Sequence, residues 1–214
     1  GYARTRFKHD DRGYRTEIAF FDESDRLTLN SEGYARLRQK YNHSGQILET
    51  ALFDINDRLT PHKKLGYAKT QWTYDNRGQV SQFAYFGTNE QLVRNALGYA
   101  LIRYSYDRVG RETKREFFEV DGARVHTRVA VDTVEPDSNV QDLLKPGDLL
   151  LAYDGTEIVD TRVLQELELD RGENKREIRV LRNGKPLSLE VPPGRLQGID
   201  ITDRVSAEVR RTGT

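Results

Sequence analysis

The sequence predicts a mainly β protein in two parts, an N-terminal array of antiparallel β-hairpin repeats followed by a smaller α+β unit. Three observations lead there. Gly-Tyr-Ala opens at Gly1, Gly33, Gly66 and Gly98, with spacings of 32, 33 and 32 residues, and a fixed period in this range marks one supersecondary unit copied in tandem. Twelve residues after each leading Gly stands another, at Gly13, Gly45, Gly78 and Gly110, preceded three residues earlier by Asp10, Asn42, Asp75 and Asp107. Nineteen of the 20 aromatic residues lie in the first 124 positions, and Val, Leu and Ile replace them afterwards, so two differently built cores share the chain.

The repeats run 1–32, 33–65, 66–97 and 98–124. Asp/Asn-x-x-Gly is hairpin-turn chemistry, in which the side-chain oxygen holds the turn and Gly takes the left-handed conformation at its end. The flanking segments alternate as strands do. One face reads Ala68, Thr70, Trp72, Tyr74 in the third copy and Ala100, Ile102, Tyr104, Tyr106 in the fourth, while Lys69 and Gln71 take the other side. The second strand carries Phe20-Phe21, Leu52-Phe53, Tyr85-Phe86 and Phe117-Phe118, and a short third strand is expected around Leu27, Leu59 and Leu92. Among these, the period-locked Tyr74, Tyr106, Phe53, Phe86 and Phe118 are expected in the core. His9 stands where the other copies place Tyr, as a core variant.

Net charge is zero overall, but it divides as 21 basic to 17 acidic residues up to Arg124 and 13 to 17 beyond. Neither imbalance argues for nucleic acid or a membrane surface, and no apolar stretch approaches a membrane span. The chain opens inside a repeat and holds no Met, as an excised piece of a longer protein would. With no Cys, disulfides, thiolate metal sites and thiol nucleophiles are excluded.

In residues 125–203 a strand from Val129 ends at Pro136 and a helix-like turn spans 141–144. Lys145-Pro146-Gly147-Asp148 then turns into the apolar strand Leu149 to Tyr153, which closes on Asp154-Gly155. Asp160 is placed as the N-cap of a helix bearing Val163, Leu164 and Leu167. After a turn at Arg171-Gly172, strands 176–182 and 187–191 join through Asn183-Gly184, and 204–214 form a tail.

Two family resemblances follow. Tyr74-Asp75-Asn76-Arg77-Gly78 and Tyr106-Asp107-Arg108-Val109-Gly110 resemble the YD repeats of the RHS family, which implies hairpins laid side by side. Val131-x-x-Val134-x-Pro136-x-Ser138, Lys145-Pro146-Gly147-Asp148-Leu149-Leu150-Leu151-Ala152-Tyr153-Asp154-Gly155 and Val180-Leu181-Arg182-Asn183-Gly184-Lys185 resemble a bacterial PDZ domain. That resemblance implies a PDZ-like α+β barrel and a groove between helix and strand, where a C-terminal tail or extended peptide adds as a strand. Asp160, Leu164 and Leu167 would form the helix wall. Upstream of Val129 lies only the fourth repeat, so the carboxylate-binding loop and groove strand come last, in a circularly permuted order. Arg195, Leu196, Gln197, Gly198, Ile199 and Ile201 supply them, with Gln197 where an apolar residue is usual and Arg195 placed to help hold a carboxylate.

The four His residues have no metal spacing, and Gly-x-Ser-x-Gly, His-Glu-x-x-His and Walker-type loops are absent from the sequence. The expectation is therefore a non-catalytic protein-binding scaffold with no cofactor and no metal, whose partners are proteins or peptides and not nucleic acid. The PDZ resemblance points to the bacterial envelope, outside the cytoplasm. Two alternatives remain: an envelope protein that binds glycan through the repeats, its PDZ-like part only structural, and the regulatory fragment of a larger protease.

Overall fold

The computed structural model describes residues 2–169 and 174–205. The chain divides into two compact units, with the boundary between Val125 and His126. The protein is mainly β, in antiparallel sheets built from hairpins, with one short helix among the described residues.

The first unit is a nine-stranded sheet in chain order: β1 (Arg4–His9), β2 (Arg15–Phe21), β3 (Arg36–Tyr41), β4 (Ile47–Phe53), β5 (Lys69–Tyr74), β6 (Val80–Phe86), β7 (Leu101–Tyr106), β8 (Glu112–Phe118) and β9 (Arg124–Val125). Each copy contributes one long hairpin, closed by the Asp/Asn-x-x-Gly turn. Asp75 Oδ1 accepts the amides of Arg77 and Gln79 at 2.9 and 2.8 Å, and Asp107 does the same for Val109 and Arg111. The register slips by one residue at the end of every first strand, as a Gly-containing bulged turn requires. At Gly45 the need for Gly is doubled. Its φ is +81°, and a Cβ there would collide with the Tyr14 hydroxyl, because Tyr14 lies over the turn and stacks on Tyr41 at 5.1 Å.

The third strand expected in each copy is shorter than the sequence suggests. Leu27, Leu59 and Leu92 each form a single bridge to Phe21, Phe53 and Phe86, and only the fourth copy draws its return segment into a strand, β9. The next turn begins too soon for more. That turn is held by Asn30 and Asn95, whose Oδ1 atoms accept following amides, and in the second copy by His62, whose Nδ1 accepts those of Lys64 and Leu65 at 3.2 and 3.3 Å.

One face of the sheet is the core of the array. The Ala of Gly-Tyr-Ala is fully buried at 35, 68 and 100, and its backbone N–H and C=O bond to strands on either side. Beside it runs a chain of rings: Tyr2, Phe20, Tyr34, His62, Tyr67, Tyr85, Tyr99 and Phe117, each 4.6 to 6.4 Å from the next. Leu52 interrupts the aromatic position in the second copy, and the His62 ring closes the gap. Burial raises the Tyr85 hydroxyl, and Tyr34 is pushed up to about 12, by burial first and by Glu32 nearby.

The expectation that Phe53, Phe86 and Phe118 belong to the core needs correction. In a doublet such as Phe20-Phe21 successive side chains point to opposite faces, so only the first enters the ring chain. The second is half-buried on the other face under a cation: Arg6 over Phe21 at 4.4 Å, Arg38 over Phe53 at 4.5 Å, Lys69 over Phe86 at 5.3 Å and Arg103 over Phe118 at 4.6 Å. Three of those cations also pair with an acid held in the left-handed conformation of the second turn, Asp25, Asp57 or Glu90. Tyr74 and Tyr106 are half-buried, and their role is between copies. Their hydroxyls donate to the carbonyls of Ile47 and Val80, one copy back, at 2.6 and 2.9 Å.

The second unit contains β10 (Arg128–Val134), β11 (Leu149–Tyr153), β12 (Thr156–Glu157), α1 (Thr161–Leu167), β13 (Arg176–Arg182), β14 (Lys185–Val191) and β15 (Ile199–Arg204). The sheet order is β14-β13-β11-β10-β15, with β12 paired to β11, so among the described strands β14 and β15 are the unjoined ends. It is an open sheet, where the sequence suggested a barrel. The helix-like 141–144 segment is a run of turns. The expected turn at Arg171-Gly172 and all of the tail beyond Val205 lie outside the described residues. Val129, Val131, Leu144, Leu150, Ile158, Leu164, Ile178, Val180 and Leu196 form the core. Asp148 is 1% exposed and pairs through both oxygens with the Arg182 guanidinium at 2.8 and 2.7 Å, which fixes the Pro-Gly-Asp turn against β13.

Candidate functional site

The strongest candidate site is the outer edge of β15, with α1 and the loop 194–198 beside it. β15 pairs only with β10 among the described strands. Its register decides where its backbone groups point. Val131 of β10 spends both of its own on the far side, donating to the Asp148 carbonyl at 2.9 Å and accepting from the Gly147 amide at 2.8 Å. Ile201, opposite Val131, therefore sits in a non-hydrogen-bonded pair and turns its N–H and C=O away from β10. The Gly198 carbonyl accepts from Glu135 at 2.8 Å on the β10 side, so by alternation Ile199 also faces outward. An edge with outward donors and acceptors can accept another strand.

The helix beside that edge is short and fixed at both ends. Asp160 is the N-cap, 5% exposed, with Oδ1 accepting the Val163 amide at 2.9 Å; its carboxylate caps α1 and does not line an open wall. Leu164 is completely buried and Leu196 nearly so, which makes them floor, whereas Leu167, Ile199 and Ile201 are half-buried against the same core. Thr161 donates through its amide and hydroxyl to Asp203 of β15 at 2.7 and 3.1 Å. At the other end Glu168 Oε1 accepts the Leu196 amide at 3.2 Å.

The loop ahead of β15 is anchored by its neighbours. The Gln197 amide donates to Asn139 Oδ1 at 2.8 Å, Asn139 Nδ2 donates to the Arg195 carbonyl at 3.1 Å, and the Ser138 hydroxyl donates to the Gln197 carbonyl at 2.6 Å. Gly198 has φ +67°, and a Cβ there would meet Ser138 Cα at 3.0 Å. Side chains of Arg195 and Gln197 are exposed. Burial pushes the Glu168 carboxyl up, against the lowering effect of the Leu196 amide and the Arg195 charge. Ser138 entered the sequence reading only as part of the PDZ-like pattern, Asn139 and Glu168 were not singled out at all, and only tertiary contact joins Glu168 to a loop 28 residues away.

A second feature lies on the core face of the repeats, where Trp72, Val80, Phe83, Tyr104 and Tyr106 line a shallow cleft of about 330 Å³. Trp72 and Phe83 are in tilted contact at 4.8 Å. The corresponding pairs are Phe7 and Ile18, Gln39 and Thr50, and Tyr104 and Arg115 in the other copies, so two aromatics face each other at this register in the third copy alone.

Among the described residues no three His, Cys, Asp or Glu side chains are grouped to hold a metal ion, and no helix is long and apolar enough to cross a membrane. No family model matches this chain, and no curated protein sequence matches it.

Proposed function

We propose that this chain is a non-catalytic protein-binding scaffold whose second unit acts as a PDZ-like module, adding a partner's extended segment to the outer edge of β15, while the repeats act as a scaffold or second binding surface. The observation that carries this reading is the outward direction of the Ile199 and Ile201 backbone groups on a strand that, among the described strands, pairs on one side alone. Main-chain hydrogen bonds would supply affinity, and the half-buried Leu167, Ile199 and Ile201 would select apolar side chains.

The test is fluorescence polarisation of the full chain with labelled peptide pools of about ten residues, enough to span one strand. Ile201→Pro deletes an N–H that serves no partner in the β10 ladder, so the sheet tolerates it while an added strand loses a bond. Binding weakened about tenfold, the equivalent of one good hydrogen bond, is expected. Unchanged affinity would remove β15 as the docking edge.

The aromatic cleft supports a second reading, in which the repeats stack a sugar ring on Trp72 and Tyr104. Retention of the chain on polysaccharide, abolished by Trp72→Ala, is the outcome that would favour it.

A further inference from the structure

A peptide that adds antiparallel to β15 and ends there places its terminus beside the loop that precedes the strand. Its carboxylate then needs backbone N–H donors, and beyond the outward N–H of Ile199 the loop offers those of Leu196 and Gln197. Both are occupied by the protein itself. The Leu196 amide donates to Glu168 Oε1 at 3.2 Å and the Gln197 amide to Asn139 Oδ1 at 2.8 Å.

The occupant of the first donor is a carboxylate. Glu168 caps the C-terminal end of α1, is 9% exposed, and is held on the loop in much the way a chain terminus would be. An incoming terminal carboxylate that reaches past the Ile199 N–H to the Leu196 amide would have to displace it and lie beside a second negative charge. Like charges brought together at a partly buried place are costly, and such a contact selects against one class of ligand. An internal segment brings a neutral peptide group past the same point and meets no such penalty.

We infer that the β15 groove takes internal extended segments and discriminates against free chain ends, with Glu168 as the group that enforces the choice. This rests on the strand-addition reading above and names its ligand class. Asn139 reinforces the effect by holding the neighbouring donor, and its second bond, to the Arg195 carbonyl, keeps the loop from turning toward a terminus.

The experiment compares each labelled peptide as free acid and as C-terminal amide, against the full wild-type chain, Glu168→Ala and Glu168→Gln. The acid-to-amide ratio within one protein cancels any loss of folded fraction. Wild type should bind the amide at least as tightly as the acid. Glu168→Ala frees the Leu196 donor and should favour the acid on the order of tenfold, as a charge-assisted hydrogen bond does. Glu168→Gln keeps an acceptor on that donor but removes the charge, and its ratio should fall between. A wild-type preference for the acid, or a ratio that Glu168→Ala leaves unmoved, overturns the inference and leaves strand addition standing. Failure of every peptide form to bind all three proteins removes strand addition itself, and the inference with it.

Discussion

Replacing His62 separates two jobs that one side chain performs. In the first and third copies an Asn, Asn30 or Asn95, holds the turn, and an aromatic, Phe20 or Tyr85, fills the ring chain. The second copy has Leu52 at the aromatic position and His62 at the Asn position. His62 therefore accepts the Lys64 and Leu65 amides through Nδ1 and also bridges Tyr34 and Tyr67 with its ring, at 6.4 and 5.6 Å. His62→Asn keeps the acceptor and loses the ring contacts, a cost of about 1 kcal/mol. His62→Ala loses both, and the unmet turn amides add about 1 kcal/mol more. Adding Leu52→Phe to His62→Asn restores the arrangement of the first copy and should recover most of the loss. Urea unfolding followed by the fluorescence of Trp72, the single Trp and a reporter inside the repeats, measures all four proteins on one scale. Equal costs for the Asn and Ala variants would refute the acceptor role of Nδ1. A costless His62→Asn would refute the ring contact.

The repeats should weaken in acid. Burial raises the carboxyls of Glu17 and Glu49, but Lys8 with Arg38, and Lys40 with Gln71, outweigh it and hold both below the ordinary value, as hydrogen bonding from Arg38 first does for Asp57. Groups lowered in the folded state contribute stability above their unfolded pKa and lose it as pH falls through the folded one, so the urea midpoint read by Trp72 should drop between about pH 5 and pH 2. Glu168 has the opposite sign: raised by burial, it contributes most below its ordinary pKa and loses that as pH rises through the folded value, so Glu168→Gln should slow amide exchange in the second unit at pH 7. Asp148→Ala strands the Arg182 guanidinium and should cost about 3 kcal/mol, seen as faster exchange across β11 and β13. Tyr74→Phe and Tyr106→Phe should each cost about 1 kcal/mol in the Trp72 assay and add independently, since the two hydroxyls share no partner.

The turns of the repeats were legible because their chemistry is local: an Asp or Asn oxygen, two amides and a left-handed Gly all fall within five residues. Strand faces were legible only in part. A doublet such as Leu52-Phe53 repeats at the same period on both faces, so periodicity cannot say which member enters the core, and the Arg38 that covers Phe53 arrives through strand register from 15 residues away. The His62 substitution was readable by aligning the third turns, where Asn30, His62 and Asn95 correspond. In the second unit the order of strands and the Asp160 cap followed from Pro, Gly and Asp punctuation. What the groove contains did not. Closure of the sheet, burial of Leu164 and Leu196, and the seat of Glu168 on the loop all depend on how distant segments pack, and no spacing encodes them.

The hydroxyls that reach back from Tyr41, Tyr74 and Tyr106 have a mechanical meaning. Every junction between copies carries such a bond, and each is matched by one reaching forward, from Arg12 to the Asn42 carbonyl, from Gln46 to the Gly78 carbonyl and from Gln79 to the Gly110 carbonyl. Hydrogen bonds of the sheet run along the array, so a pull on its two ends loads the junctions in series. The three links are fastened differently: the first forward bond comes from a charged guanidinium that also reaches the His43 carbonyl, the second is a neutral amide bond from Gln46, and the third is reinforced by Arg77 on the Asp107 and Arg108 carbonyls. Under tension such unequal links should give way one after another and not all at once, so the array should lengthen in steps.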